Sequence, residues 1–371
     1  MKISKKEALI WFRFFAELQE ELSPRQMEIA LAVLSQIELA AEERFRKAAE
    51  GIPVTELEGR TRFVGPKDKF PRGCRSCLLG TGLSAVRRTN KCNMNCPFCY
   101  DFGVLDQIEP IGEGYFEIGG GRYRVEDLPL LFTVSKRPTG IAYVYLEPFM
   151  EIEAYYDIIS AFAKEGIHQH MYTNGTLATE ENLKALGEAG LPELRFNLGA
   201  SLCSDKVIEN MAIAKRYIPQ VGIETPMTPQ FLSAFEKKKQ RILDTGIDFM
   251  NCAEVHLNPN NCPNDAGENL YMYRGGYISP IFSREITCQM MREAWEEKWP
   301  LCVHDCSNRT KFARDLNLRA HEGGWFGATS YAPEFDSIPF ELFLPVLEDP
   351  DFAFLEEEEM PEGYRLTDIV L

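Results

Sequence analysis

Nothing in this sequence approaches the ~18 consecutive apolar residues that a membrane span requires. The most apolar early stretch, Met27 to Ala41, is broken by Glu28, Ser35, Gln36 and Glu38. No small-residue cleavage site follows the lysine-bearing start MKISKKEALIWFRFF, so no leader is read there. Basic residues are also in short supply, 40 against 56 acids, and the net charge of −16 argues against nucleic acid or an anionic membrane as main partner. Half of that excess sits between Glu348 and Glu362, a stretch with eight acids and no Lys or Arg, whose default reading is a solvated tail. Low complexity is absent too, because the 27 Gly and 22 Pro are scattered. These absences point to a cytoplasmic, globular protein.

What is present is a large apolar fraction, 45% with 11% aromatics, in 371 residues. That exceeds the usual single-core size and suits an enlarged α/β barrel or a domain with appendages. Residues 1–70 read as a helical N-terminal extension, with two amphipathic helices over 5–50 and Gly51-Ile52-Pro53 closing the second. Residues 71–262 read as the barrel, interrupted over 103–138 by an insert with a hairpin around Gly119-Gly120-Gly121. Residues 263–371 read as a C-terminal extension.

Five short strand-like runs begin at Ile141, Ile167, Glu193, Gln220 and Asp248, with a helical pattern in each gap. A strand, a helix and two loops fill such a gap, so the array predicts a parallel, barrel-like β/α fold. Alternation along the runs predicts a polar interior face. It would carry Tyr143, Tyr145 and Glu147; His168, His170 and Tyr172; Arg195 and Asn197; Glu224; and Cys252, Glu254, His256 and Asn258. Such a lumen suits a polar ligand.

Eleven cysteines in a reducing compartment are more often metal ligands than disulfides. Cys92, Cys96 and Cys99 place three thiols in eight residues. Thiolates at that spacing can wrap one iron–sulfur cube and leave its fourth iron without a protein ligand, open to substrate or cofactor. The C-x-x-x-C-x-x-C loop, with aromatic Phe98 before its last Cys and a candidate strand at Leu83 to Thr89 before it, resembles that of the radical S-adenosylmethionine enzymes. The likeness covers roughly Ser84 to Asn258.

The resemblance implies a partial (β/α)6 barrel, a [4Fe–4S] cluster on Cys92, Cys96 and Cys99, and S-adenosylmethionine bound at the open iron. It implies reductive cleavage of that nucleotide to a 5′-deoxyadenosyl radical that takes hydrogen from a substrate, with a low-potential electron donor as partner. Phe98, Glu147, Thr173, Asn197, Glu224, Glu254 and His256 are the positions it assigns to cofactor binding. The family's Gly-Gly-Glu is represented by Tyr145-Leu146-Glu147, which keeps the carboxylate and loses both glycines. Neither the substrate, a peptide or protein or else a polar metabolite, nor a catalytic side chain is assigned, and the outcome is an oxidoreductase or a transferase reaction.

Two further pairs, Cys74 with Cys77 and Cys302 with Cys306, are expected to join as a second site holding zinc or an auxiliary cluster. The rival from another class is a non-catalytic, zinc-stabilised binding module in which all seven clustered cysteines are structural.

Overall fold

The computed structural model describes residues 42–57, 61–83, 86–118, 121–130, 138–258, 260–265, 270–273 and 277–311. Most of the expected N-terminal helices and the whole acidic tail lie outside these residues. The described chain opens with strands β1 (Thr55–Leu57) and β2 (Thr61–Val64), helix α1 (Arg72–Leu78), strand β3 (Gly82–Leu83) and the hairpin β4 (Phe116–Ile118) and β5 (Gly121–Tyr123). Then comes the repeat: β6 (Gly140–Tyr143), α2 (Tyr156–Lys164), β7 (His168–Thr173), α3 (Glu180–Ala189), β8 (Glu193–Phe196), α4 (Asp205–Ala214), β9 (Gln220–Pro226), α5 (Pro229–Leu243) and β10 (Phe249–Ala253). A second hairpin, β11 (Leu270–Tyr273) and β12 (Tyr277–Pro280), leads into α6 (Ile281–Glu296) and β13 (Cys302–Cys306).

The main sheet has the order β1-β2-β13-β10-β9-β8-β7-β6-β3. Its seven strands from β3 to β13 are parallel, and β2 and β1 continue it antiparallel. β1 and β3 are its edges, so the fold is a mixed α/β domain built on a large parallel sheet, an open partial barrel.

The helices are placed by local chemistry. Thr179, Ser204 and Thr228 cap α3, α4 and α5 by accepting backbone N–H bonds from Asn182, Val207 and Phe231. Pro229 adds a preset φ at the first turn of α5, and Gly190 ends α3 in the left-handed conformation. Each helix then buries one face, such as Leu183 and Leu186 or Phe231, Phe235 and Ile242, against the outer side of the sheet. Met171, Leu194, Phe196, Val221, Ile223, Met250 and Cys252 meet them from the strands in one core. Each such side chain contributes about 1.5–3 kcal/mol of burial.

Three expectations change here. Residues 55–57 and 61–64, within the segment read as helical, form strands instead; alternating β-formers at Thr61 and Phe63 let β2 cover the edge of β13. β13 and α6, read as part of an extension, belong to the main sheet and its outer layer. The parity of two runs is also reversed. Tyr143 faces the helices, where its hydroxyl donates to Gln169 at 2.6 Å, so its polar atom is satisfied inside the core. Cys252 likewise packs in that core, while Asn251 and Ala253 point inward. The apolar Val255 and Leu257 follow the end of β10 and are buried there, so they did not mark the helix-facing side.

No helix among the described residues is long and apolar enough to cross a membrane.

Candidate functional site

At the C-terminal ends of the parallel strands lies a cavity of about 650 Å³. Cys92, Cys96 and Cys99 all line it. The loop that carries them is held by side-chain amides rather than by regular structure. Asn93 is fixed by Asn174 and Thr176, each at 2.8 Å, and Asn95 accepts the Gly103 N–H. From the far side Asn258, Asn261 and Asn264 donate to the carbonyls of Tyr100, Phe98 and Pro97. Asn258, expected in the lumen, is thus a brace for the cysteine loop.

The three thiols are half-buried. Burial raises all three, and Cys96 is pushed up to about 12, first by desolvation and then by its neighbours Cys99 and Cys92. Protein charges alone therefore leave them protonated; a metal's charge would make them thiolates. Among the described residues they belong to no set of three or more ligand atoms within 4.8 Å, the arrangement a single ion needs. Three thiols spread over one wall fit the corners of an iron–sulfur cube better than one zinc ion.

Glu147 lines the cavity close to Cys92, its N–H donating to the Lys91 carbonyl at 3.1 Å, and it is 1% exposed. Its carboxylate accepts from Phe149 N–H at 3.0 Å, the Thr173 hydroxyl at 2.8 Å and Asn174 N–H at 2.6 Å. Burial outweighs these donors and raises its pKa to about 7. The two positions before it have φ of +97° at Tyr145 and +53° at Leu146. The backbone keeps a glycine-like turn that the sequence had abandoned, at a cost of about 1–3 kcal/mol per strained residue.

Phe98, Glu147, Thr173, Asn197, Glu224 and His256 line this one cavity together with the cysteines. Asn197 Oδ1 accepts from Thr225 at 2.7 Å and from Ala200 N–H at 3.1 Å, which orients its amide. His256 lies edge-on to Tyr100, 5.6 Å between rings. Glu254 is not among the lining residues. Its carboxylate turns to accept Asn308 N–H at 2.6 Å, because its own N–H continues the ladder to Cys306. Sequence reasoning missed Arg87, Asp101 and Glu117, which also line the cavity. Arg87 sits over the Tyr145 ring at 4.3 Å and pairs with Glu117, and the Tyr145 hydroxyl donates to Asp101 at 2.9 Å. Asp101, two residues past Cys99, had a positional signal; Arg87 and Glu117 had none.

Of the four cysteines expected at a second site, Cys74 and Cys77 lie near Cys306, and Cys302 lies apart from them. Cys302 and Cys306 sit on one extended strand, which at ~3.3 Å per residue separates them by roughly 13 Å. Cys302 packs with Phe63 and Phe249. Cys74 is buried on α1 and Cys77 is exposed, so the paired loops that the spacing suggested are a helix and a strand. Cys203 and Cys288 are buried packing residues.

Nor does the whole interior face serve a ligand. Below the cavity a chain of side-chain contacts crosses six neighbouring strands, from His168 through Glu193, Arg195, Glu224, Asn251 and His304 to Thr61. Helix α1 covers its β8 end, with Gly73 N–H on Glu193 at 3.0 Å. Arg195 and the two histidines nearby hold the Glu193 carboxyl well below the usual range despite burial, and burial holds His170 far below the usual imidazole value.

An open parallel sheet with a three-thiol loop over its strand ends defines an α/β protein with a candidate cluster site. Residues 86–237 match the family model described as the radical SAM superfamily. It is 29% identical over 261 residues to a Methanocaldococcus jannaschii protein whose name proposes a glycyl-radical enzyme activating enzyme; the match covers 68% of this chain and 67% of that one. A second protein of that organism, named as uncharacterized, is 27% identical over 40% of this chain and 52% of its own length. Among solved structures, Streptococcus suis SuiB bound to precursor peptide SuiA is similar with a TM-score of 0.41, at 10% identity over 84% of this chain and 68% of that chain. Native anSMEcpe with bound AdoMet gives 0.35, at 16% identity over 49% and 57%. The chain thus spans about half the length of the second relative and of the AdoMet-bound structure.

Proposed function

We propose that the chain is an enzyme that cleaves S-adenosylmethionine reductively and uses the product to take hydrogen from a protein or peptide. The observation that carries this is the shared cavity, lined by the three thiols and by the buried Glu147 carboxylate and enclosed by largely apolar surface. Cys92, Cys96 and Cys99 would hold a [4Fe–4S] cluster. When bound, such a cluster supplies the electron that splits the sulfonium nucleotide into methionine and a 5′-deoxyadenosyl radical.

The chain's own residues do the rest. Glu147, oriented by Thr173 and Asn174, offers a carboxylate to the methionyl ammonium. Asn197, Glu224 and His256 offer polar atoms to ribose and adenine. Phe98, Val144, Leu146 and Pro226 keep water from a site where any nearby C–H bond is at risk. The wall of Arg87, Asp101, Glu117 and Tyr145 faces the incoming substrate.

A macromolecular substrate is favoured over a polar metabolite for two reasons. Of the residues that suggested a metabolite, His168 and Arg195 are committed to contacts below the cavity, and His170 is buried beneath it rather than lining it. The Methanocaldococcus relative, moreover, is named for activating another enzyme.

The test is anaerobic purification. Brown protein that binds about four irons per chain and, once reduced, turns S-adenosylmethionine into 5′-deoxyadenosine supports the reading. Colourless, zinc-loaded protein giving no such product overturns it. Deuterium carried from a labelled candidate protein into 5′-deoxyadenosine identifies the substrate.

A further inference from the structure

Beneath the cavity, one group of side chains has ligand chemistry that the proposed reaction does not use. His168 and His170 project from the same side of β7, with their rings stacked 6.2 Å apart and inclined by 24°. Glu193 stands on the adjoining strand β8. One ligand atom from each of the three lies within 4.8 Å of the other two, and His168 Nε2 is 2.9 Å from Glu193 Oε2. His170 is only 5% exposed, yet its Nδ1 has no hydrogen-bond partner. A buried nitrogen left in that state costs about 1–3 kcal/mol.

We infer that His168, His170 and Glu193 bind one divalent transition-metal ion of the zinc class at the floor of the sheet. Two imidazoles and a carboxylate form a borderline donor set, which suits such an ion better than magnesium or calcium. The ion takes the place of the proton between His168 Nε2 and Glu193 Oε2; the bound imidazole is neutral with its one proton on Nδ1, and only an imidazolium gives up its second proton to solvent. Glu193 Oε2 can serve it while still accepting Gly73 N–H, because a carboxylate oxygen has two acceptor sites. Its other oxygen is held by Arg195, which orients the carboxylate as outer partners of metal ligands do. The Arg195 charge does not close the site: Glu193 and Glu224 flank it, leaving one net negative charge beside the ion. His168 is 15% exposed while Glu193 is fully buried, so the ion enters along His168. Its role is to tie β7 to β8 beneath α1, away from the cysteine loop.

The full chain, loaded with iron and sulfide anaerobically and dialysed against chelator, is titrated with zinc. The expected result is one equivalent of zinc beyond the iron, with an absorption-edge shell of nitrogen and oxygen at about 2.0–2.2 Å and no sulfur at about 2.3 Å. His168→Ala and His170→Gln should each weaken zinc binding at least about 10-fold while iron content stays unchanged. No zinc beyond the iron, a sulfur shell, or equal binding by both variants would overturn the site. The shell measurement needs no variant, so a substitution that fails to fold leaves the test intact. Neither readout depends on 5′-deoxyadenosine formation.

Discussion

The two ends of one sheet face differ more than its sequence alternation suggests. At the C-terminal ends of the strands, the face opens into a cavity of about 650 Å³ whose thiols are raised by burial and whose carboxylate has a pKa of about 7. A few residues earlier along the same strands, the face is closed by carboxylates, a guanidinium and imidazoles that contact one another from β7 to β2. The upper groups need something brought from outside to settle their charge. Those below, His170 apart, are largely settled by neighbours. A polar strand face therefore marks a ligand site only where its groups are not already spoken for.

The contrast can be broken most severely at the top. Replacing Cys92, Cys96 and Cys99 with alanine should abolish cluster iron and 5′-deoxyadenosine formation, measured by iron content and product assay, while the fold survives. Next comes the floor. Arg195→Met leaves Glu193 and Glu224 buried beside no cation and should cost about 3–5 kcal/mol of stability by denaturant titration. A double variant, Arg195→Met with Glu193→Leu, should recover part of that loss, which a purely steric role for Arg195 would not allow.

Glu147 gives a smaller, pH-dependent effect. Its folded pKa of about 7 exceeds the ordinary 4.5, so the native state holds a proton that the unfolded chain has lost between those values. Stability from this group is greatest below about pH 4.5 and falls as pH rises to about 7. Binding of an ammonium needs the ionised form, so affinity for S-adenosylmethionine should rise through pH 7. Glu147→Gln should flatten that rise and weaken binding by about 10-fold or more, by calorimetry. The smallest effect is expected at Leu146→Gly. Relief of the positive φ, about 1–2 kcal/mol, is opposed by lost side-chain contact, so the melting temperature should move by only a few degrees and iron loading not at all.

Much of the fold was legible because its signals are local. The spacing of the runs from Ile141 to Asp248 reports the βα repeat, and the observed strands begin within one residue of those positions. The cysteine loop was legible because its three thiols are neighbours in the chain. The rest failed where a residue's direction depends on distant partners. Tyr143 was assigned to the lumen because nothing nearby in sequence announces Gln169 as its acceptor. Glu254 was placed in the cavity because Asn308 is 54 residues away. The pairing of Cys302 with Cys306 treated a strand as a loop.

By itself, then, the sequence determined the three-thiol loop and the parallel β/α repeat, since both are written in short-range spacing that backbone geometry reads directly. Only the tertiary structure decided which polar groups meet a ligand. It turned Tyr145 and Leu146 through positive φ to present Glu147, and it set Glu193, Arg195 and Glu224 against one another across neighbouring strands. The reason is energetic: a buried polar group goes wherever its hydrogen bonds and charge are met, and those partners come from elsewhere in the chain.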